Sequence, residues 1–399
     1  MKTALILFKD PLVPFDGEYL GNITDTLLSG GFPVNSVEII SLDDDLGFKR
    51  SIARYKDTAD NLVVVFNPNT TFNVKQIVAD QMDSVLIENE NALKIIQALN
   101  SARKENYSLD NAQMPMEATL IPNENGAFQG FMMDENEFTL VVLPHPAQDF
   151  AYACQKYLLP YLDKKYSKQT KRMTLKYFGV EEKLKKAIDK AKKGVSGIVE
   201  VYYTQKYGDF TIRILADERD GREFVRQLLG DLKEEIYAEI DTSLGERLFD
   251  LLRIKKLKLA TAESFTAGRV VNSVVSNAGA SAFVHEGIVC YSNESKSARL
   301  KINLDDIVKD GAVSSMTAYR MAAGLLNTGK VDIALSTTGF AGPKTPNSND
   351  PVGLAFIGIG MMDGVHTYRL NLSGSREEIT ETAKNTALFL AIKKLKSIK

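Results

Sequence analysis

Short apolar segments alternate with helical segments through both the first and the last third of the chain. In the first third, Thr3 to Phe8, Ser36 to Ser41 and Asn61 to Phe66 have the length and the β-branched composition of buried strands. The same alternation returns after Asp241. Short apolar strands separated by helices are typical of a parallel sheet covered by helices. The sequence therefore predicts an α/β protein.

A segment of different character separates these two regions. Residues 164 to 172 are polar and rich in lysine, which is typical of a linker. Beyond it we predict a small α+β module with a lysine-rich helix from Val180 to Lys193, a hairpin that turns at Gly208, and a helix from Gly221 to Glu239. The length of 399 residues is enough for two or three domains. We predict them at residues 1–167, 168–240 and 241–399.

Charge and composition exclude several classes of protein. The chain has 49 Lys and Arg residues against 51 Asp and Glu residues, so it has no long-range attraction to nucleic acid or to an anionic membrane. Cys154 and Cys290 are too few for a disulfide framework or a zinc cluster. The apolar run that ends at Phe8 is too short for a signal peptide, and no stretch approaches the roughly 20 apolar residues that span a bilayer. We expect a cytoplasmic protein with no membrane or nucleic-acid partner.

A serine near the end of a predicted strand carries the first chemical signal. The apolar run from Leu257 to Thr261 is predicted as a strand that turns at Glu263-Ser264 and leads to a helix beginning near Thr266. A serine at such a junction would lie at the positive end of the helix dipole. A lone serine in this position is most often only a helix N-cap. A catalytic role therefore requires a base.

The candidates for that base are few. The chain contains three histidines, and only His285 is close to Ser264 in sequence. Tyr291 and Lys296 offer another arrangement, with the lysine as base and the tyrosine as proton relay. Serine–lysine pairs are an established variant of nucleophilic catalysis. Burial can lower the pKa of a lysine far enough for it to act as a base.

Six motifs occur in a fixed order through the last third of the chain. They are Ala262-Glu263-Ser264-Phe265-Thr266-Ala267-Gly268, Gly287 to Lys296, Gly311-Ala312-Val313-Ser314, Thr338-Gly339-Phe340-Ala341-Gly342-Pro343, Pro351-Val352-Gly353 and Gly374-Ser375-Arg376-Glu377-Glu378-Ile379. This series resembles the C-terminal domain of the CinA (competence/damage-inducible) family over nearly all of residues 245–397. Members of that family are nicotinamide mononucleotide deamidases.

The resemblance implies an activity and assigns roles to residues. It implies hydrolysis of the carboxamide of nicotinamide mononucleotide to nicotinate mononucleotide and ammonia, with Ser264 as nucleophile and Tyr291 and Lys296 as its catalytic partners. No metal or cofactor is expected, and a homodimer is implied. Backbone N–H groups at the start of the helix near Thr266 are the expected donors to the oxyanion.

The phosphate of such a substrate needs a binding site of its own. Ser375 precedes Glu378 by three positions, a capping-box pattern that predicts a helix start with free N–H groups and the guanidinium of Arg376 beside them. Glycines in the loop from Thr338 to Pro343 allow the backbone to approach a ligand closely. The expected substrate-binding residues are Thr266, Gly268, Thr338, Gly339, Ala341, Gly342 and Arg376.

Two departures from the family pattern lie beside this site. The family usually has Cys and then Thr-Gly-Gly after the serine, whereas this chain has Phe265 and then Thr266-Ala267-Gly268. The family's glycine-rich run after Ala-Gly-Pro is replaced by the sequence from Lys344 to Asn349, which we expect to form a stiffer loop with an additional positive charge. We expect activity to be retained with altered substrate affinity.

Three segments of the first predicted domain are similar to motifs of longer CinA proteins, namely Ala112-Gln113-Met114-Pro115, Ala118 to Asn123 with Gly126, and Leu143-Pro144-His145-Pro146, which has His145 where glycine is usual. By these segments the domain resembles molybdopterin-binding, MoaB/MogA-like domains, which in some members hydrolyse ADP-ribose with a divalent metal. Its phosphate-binding loop is replaced by the sequence from Asn67 to Asn73, which has neither glycine nor a carboxylate pair. We therefore expect a retained fold without the pyrophosphatase site. The middle domain occupies the place of a KH-like domain, and its single Gly-x-x-Gly candidate is Gly194 to Gly197.

Two other functions stay open at this point. One is a non-catalytic nucleotide-binding or scaffold protein, suggested by the altered N-terminal loop and by the altered loop after Pro343. The other is an ADP-ribose pyrophosphatase that uses the N-terminal domain, although carboxylates are absent around Thr70 to Lys75. Ammonia release and AMP release would separate these activities.

Overall fold

The computed structural model describes residues 2–104, 106–166, 171–345 and 350–397. These residues belong to two compact units, Met1–Arg172 and Met173–Lys399, each of which is described by itself. Residues 167–170 of the predicted linker and residues 346–349 of the loop after Pro343 lie outside the described residues.

The first unit is built on a six-stranded sheet with the order β2-β1-β3-β8-β7-β6. Strands β2, β1, β3 and β8 are parallel, whereas β7 and β6 are antiparallel to their neighbours. The strands of this unit are β1 Thr3–Lys9, β2 Val34–Ser41, β3 Asn61–Phe66, β4 Leu86–Glu88, β5 Gln113–Pro115, β6 Thr119–Ile121, β7 Gly130–Glu135 and β8 Phe138–Pro144. Strand β1 is buried on both faces, as a central strand between two helical layers must be.

Among the described residues, six α-helices accompany this sheet. They are α1 Gly17–Ser29, α2 Asp45–Thr58, α3 Val74–Gln81, α4 Glu90–Arg103, α5 Ala147–Ala153 and α6 Leu159–Lys165. The side chains of Asp16, Asp44, Asn73 and Asn89 accept backbone N–H bonds at the starts of the first four helices, so short polar residues set these boundaries. A π-helical turn, Cys154–Leu158, lies between α5 and α6.

The second unit begins with a four-stranded sheet of order β10-β11-β9-β12. Its elements are β9 Lys171–Phe178, α7 Glu181–Lys193, β10 Glu200–Lys206, β11 Asp209–Ala216, α8 Glu218–Leu232 and β12 Ile236–Ala238. The predicted helix to Glu239 was wrong at its end, because α8 stops at Leu232 and β12 pairs antiparallel with β9. All three residues of β12 are buried, so pairing and packing outweigh local helix propensity there.

The remainder of the second unit carries a five-stranded sheet with the order β14-β13-β15-β16-β17. Its elements are α9 Leu244–Lys255, β13 Leu259–Glu263, α10 Arg269–Val275, β14 Val284–Val289, α11 Asn293–Leu300, α12 Leu304–Asp310, α13 Ser315–Leu326, β15 Ile333–Gly339, β16 Leu354–Met361, β17 Gly364–Asn371 and α14 Arg376–Ser397. Strands β14, β13 and β15 are parallel, so their carboxyl ends meet at one edge of the sheet. The predicted α/β class is confirmed.

The described residues were searched for helices that could cross a membrane. None of the described helices combines the length and the apolar character needed to cross a bilayer.

Candidate active site

Ser264 directly follows the carboxyl end of the interior strand β13. Its N–H donates to the carbonyl oxygen of Thr337 at 3.0 Å, which holds the serine in line with β15 just as the chain leaves the sheet. The residue is only 8% exposed. Helix α10 starts at Arg269 instead of near Thr266, so the predicted helix start was wrong. Ala267 and Gly268 have φ angles of 51° and 89°, and this left-handed backbone forms a turn before the helix can begin.

Lys296 reaches Ser264 from the neighbouring helix α11. Its Nζ lies 3.2 Å from the Oγ of Ser264, although the two residues are 32 positions apart in the sequence. Nζ also donates to the carbonyl oxygens of Cys290 and Tyr291, at 3.0 and 3.1 Å. The lysine is 1% exposed. The structure therefore brings two of the three predicted catalytic residues into hydrogen-bonding distance.

The surroundings of Lys296 favour an uncharged amine. Burial lowers the pKa of Lys296, while the negative charge of Glu294 and a Cys290 thiolate would oppose this shift. A neutral amine has two N–H bonds and one lone pair. If the two carbonyl oxygens accept the N–H bonds, the lone pair is left to accept a proton from the hydroxyl of Ser264. This arrangement suits a lysine that acts as a general base.

Tyr291 stands apart from this pair. Its backbone carbonyl contacts Lys296, but its side chain is 65% exposed. Its hydroxyl makes no hydrogen bond within the described parts of the chain. The structure thus places the phenol at the surface, and its role as a proton relay stays a prediction.

Glu263, predicted only as part of a turn, is a central residue of the site. Its carboxylate is 1% exposed and accepts backbone N–H bonds from Gly268, Val270 and Val271 at 2.9, 3.1 and 2.8 Å. The hydroxyl of Thr266 donates to the same carboxylate at 2.7 Å. A glutamate directly before the serine, at the buried end of a strand that leads to a helix, is the signal that could have identified it.

The position of Glu263 changes which backbone groups can stabilise an oxyanion. The N–H groups of Gly268, Val270 and Val271 donate to Glu263, so these groups at the start of α10 are not free to bind an oxyanion as predicted. Within the described residues, the N–H groups of Phe265 and Thr266 have no hydrogen-bond partner. These two groups directly follow Ser264. They are the unpaired backbone donors that follow Ser264 in the described chain.

Three of the expected substrate-binding residues also have contacts within the fold, and their role in substrate binding stays a prediction. The hydroxyl of Thr266 is shared between Glu263 and Thr337, and the hydroxyl of Thr338 donates to the carbonyl oxygen of Ala312 at 2.6 Å. A Cβ at Gly339 would lie 2.9 Å from the ring of Phe265. The same Cβ would lie 2.7 Å from Cβ of Ala355, so Gly339 leaves room for both neighbouring side chains.

Arg376 and Gly342 are joined by a hydrogen bond. Nη1 of Arg376 donates to the carbonyl oxygen of Gly342 at 2.7 Å, which ties the start of α14 to the loop after β15. The predicted capping box is confirmed, because Ser375 Oγ accepts from the N–H of Glu378 at 3.3 Å and Ser375 N–H donates to Glu378 Oε2 at 2.7 Å. Ala341 is buried in the same region, beside Phe265.

The N-terminal unit has different chemistry at the corresponding end of its strand β3. Asn73 caps α3, and the buried Lys75 donates from Nζ to the carbonyl oxygens of Asn111 and Gln113 at 2.6 and 2.8 Å. Burial lowers the pKa of Lys75 to about 8. Within the ranges described, no group of three or more His, Cys, Asp or Glu side chains is arranged to hold a metal ion.

The fold and the site define an α/β protein with a buried serine–lysine pair at the carboxyl ends of parallel strands. A family model described as the CinA C-terminal domain matches residues 241–395. Competence-damage inducible proteins from Clostridium novyi (strain NT) and Alkaliphilus oremlandii (strain OhILAs) are each 33% identical to the chain. The first alignment covers 68% of this chain and 67% of the relative, and the second covers 79% of each. The chain belongs to the competence/damage-inducible (CinA) family.

Solved structures of two kinds are also similar to parts of the chain. The competence/damage inducible protein CihA from Agrobacterium tumefaciens is 30% identical, with a TM-score of 0.37, and the match covers 40% of this chain and 100% of that chain. A molybdopterin biosynthesis protein from Mycobacterium abscessus is 12% identical, with a TM-score of 0.28, and the match covers 42% of this chain and 96% of that chain.

Proposed function

We propose that this protein is a nicotinamide mononucleotide deamidase, which hydrolyses the carboxamide to nicotinate mononucleotide and ammonia. The observation that carries the proposal is the distance of 3.2 Å between Ser264 Oγ and the Nζ of the buried Lys296. A serine hydroxyl is a weak nucleophile and an amide is a poor electrophile, so the reaction needs a base at this distance. Membership of the CinA family supports the choice of substrate.

In the proposed mechanism, neutral Lys296 removes the proton from Ser264 as Oγ attacks the carboxamide carbon. The carbonyl oxygen becomes an oxyanion that accepts hydrogen bonds from the backbone N–H groups of Phe265 and Thr266. One such donor typically stabilises the transition state by about 3–4 kcal/mol. Collapse of the tetrahedral intermediate breaks the C–N bond, and the protonated lysine returns the proton to the leaving ammonia. Water then hydrolyses the acyl-enzyme by the same steps.

Tyr291 has a place in this scheme as a relay between Lys296 and the leaving amine. Its backbone carbonyl accepts a hydrogen bond from Nζ of Lys296, so the residue lies beside the base. A relay role requires the exposed side chain to turn toward Ser264. In the part of the chain that the structure describes, the exposed hydroxyl makes no hydrogen bond that would have to break for this rotation.

Replacement of Ser264 by alanine is the direct test of the proposal. We expect ammonia release from nicotinamide mononucleotide to fall by about 10⁴-fold or more, as for other serine nucleophiles. The fold should persist, because the hydroxyl makes a single hydrogen bond, to Lys296. Ser276→Ala, at the exposed end of α10, is the matched control and should retain full activity. Full activity in Ser264→Ala would refute the assignment.

The pH dependence of the reaction should follow the protonation of Lys296. A protonated lysine cannot accept the proton of Ser264, so kcat/KM should rise with pH until the amine is neutral. Since burial lowers the pKa of Lys296, the midpoint should fall below the ordinary lysine value of 10.5. A pH series of kcat/KM for the mononucleotide measures this midpoint. A rate that declines with rising pH across the same range would contradict a lysine base.

Arg376 is the proposed ligand of the substrate phosphate. Charge-assisted hydrogen bonds contribute about 1.5–3 kcal/mol, so Arg376→Gln should raise KM for the mononucleotide by about 10- to 100-fold. Nicotinamide riboside lacks the phosphate and serves as the internal control. The loss of the hydrogen bond to Gly342 affects both substrates equally, whereas loss of a phosphate contact affects only one. Equal changes in KM for both substrates would show that Arg376 does not bind the phosphate.

A further inference from the structure

A cleft with no residue of the serine–lysine site lies in the second unit, between β12 and helices α9 and α14. Its volume is about 720 Å³, within the range of roughly 300–1,000 Å³ that is typical of small-molecule sites. Phe389 and Ile392 of α14 contribute apolar walls, and Ile240 lines the cleft with 61% of its surface exposed. The cleft therefore offers apolar contact area as well as solvent access.

The charged residues around this cleft are unbalanced. Four of the lining residues are cations and two are carboxylates, namely Lys233, Arg247, Lys393 and Lys396 against Glu234 and Glu239. Lys393 is paired with Glu234 at 3.1 Å. With this pair set aside, three cations remain against one carboxylate, Glu239. Arg247 and Lys396 are two of these three cations.

Arg247 is the most informative of these residues. Its Nε is buried and has no hydrogen-bond partner, and its guanidinium makes no ion pair with any residue in the described ranges. A buried donor without a partner costs about 1–3 kcal/mol, more for a charged group, so native structures rarely leave one unsatisfied. A guanidinium that lines a cleft and has a buried N–H without an acceptor points to a ligand that would accept that bond.

Lys396 adds a second under-used cation to the same cleft. Its Nζ donates to the carbonyl oxygen of Ile236 at 3.3 Å, a long bond to a neutral acceptor. Burial and the nearby charge of Arg247 lower the pKa of Lys396, although Glu239 and Glu234 act in the opposite direction. The two cations repel each other, and an anion between them would relieve this repulsion.

We propose that this cleft binds a small anion with an apolar body, such as an aromatic or aliphatic phosphate ester or carboxylate. Arg247 and Lys396 hold the anionic group, and Phe389 and Ile392 contact the body. The planar guanidinium of Arg247 has the geometry to bind two oxygen atoms of such a group at once. No residue of this site takes part in the proposed deamidation, so the two proposals stand or fall separately.

Calorimetry on the full chain with phenyl phosphate tests the site, because this probe combines a phosphate group with an apolar ring. We expect saturable binding, weaker binding of inorganic phosphate, and no binding of phenol. Arg247→Gln should weaken the binding of phenyl phosphate at least about tenfold, the effect of losing about 1.4 kcal/mol. Arg253→Gln is the matched control on the same helix, since Arg253 is exposed and paired with Asp250 at 2.9 Å.

Two results would overturn the proposal. One is the absence of phenyl phosphate binding at millimolar concentration, and the other is an affinity that Arg247→Gln leaves unchanged. Arg247 has no partner to lose among the described residues, so the ligand-free variant should melt no lower than the parent protein. If Arg247→Gln does melt lower, the affinity of Lys396→Gln for phenyl phosphate is measured instead. A tenfold weaker affinity in Lys396→Gln supports the site, and an unchanged affinity overturns it.

Discussion

Replacement of Lys296 by methionine is expected to abolish ammonia release while the melting temperature stays the same or rises. General-base catalysis contributes about 10²- to 10⁴-fold, so the rate should fall by at least that factor. Methionine has nearly the same length as lysine and carries no charge. The buried amine, in contrast, either stays neutral or costs desolvation free energy when it is protonated. Measurements of ammonia release and thermal unfolding on the same preparation test both parts.

The same substitution should also change the pH dependence of stability. The unfolded chain binds a proton at Lys296 up to the ordinary pKa of 10.5, whereas burial lowers the pKa in the folded state. Between these two values the unfolded state binds more protons, so this lysine makes the free energy of unfolding rise with pH. Lys296→Met should lack that rise. Lys309→Met, on the exposed surface of α12, should keep both the rise and the activity.

A clear loss of stability in Lys296→Met would contradict this account. It would mean that the three hydrogen bonds of the ammonium, to Ser264 and to two carbonyl oxygens, stabilise the fold more than burial opposes it. Full activity in the variant would contradict the proposed role of the lysine as base.

Glu263→Gln is expected to lower the free energy of unfolding by about 1–3 kcal/mol, the cost of a buried donor left without an acceptor. The carboxylate accepts bonds on both oxygens, from Gly268 and Val270 on Oε2 and from Val271 on Oε1. Glutamine has only one acceptor oxygen, and its NH₂ group would face a backbone N–H in either orientation. Urea unfolding of the variant measures this loss.

The substitution should also reduce deamidation through the turn that follows Ser264. Glu263 holds the residues between Ser264 and α10, and these carry the N–H groups of Phe265 and Thr266 that are proposed to bind the oxyanion. We therefore expect kcat to fall more than KM rises, because the oxyanion exists only after attack. Glu286→Gln, on the edge strand β14, is the control. Parent-like stability and kcat in Glu263→Gln would show that the carboxylate does not position the turn.

Features that depend on a few neighbouring residues could be predicted from the sequence. The apolar strand β3 has the predicted bounds, Asn61 to Phe66, and the capping box at Ser375 and Glu378 forms as expected. Ser264 and Lys296 could be selected together because their motifs lie in a recognisable series. Periodicity, caps and motifs act over short distances, and they are therefore visible in a linear sequence.

Features that depend on side chains meeting in space required the tertiary structure. The carboxylate of Glu263 accepts hydrogen bonds from the N–H groups of Gly268 and Val270. The left-handed backbone at Ala267 and Gly268 makes α10 begin later in the sequence than predicted. Burial of Ile236 to Ala238 makes a strand where local propensity favours a helix. The amino-acid sequence alone determined the class of fold and the chemical groups available for catalysis. Only the folded chain decided which groups are satisfied, exposed or left without a partner, because burial and hydrogen bonding depend on neighbours that are distant in sequence.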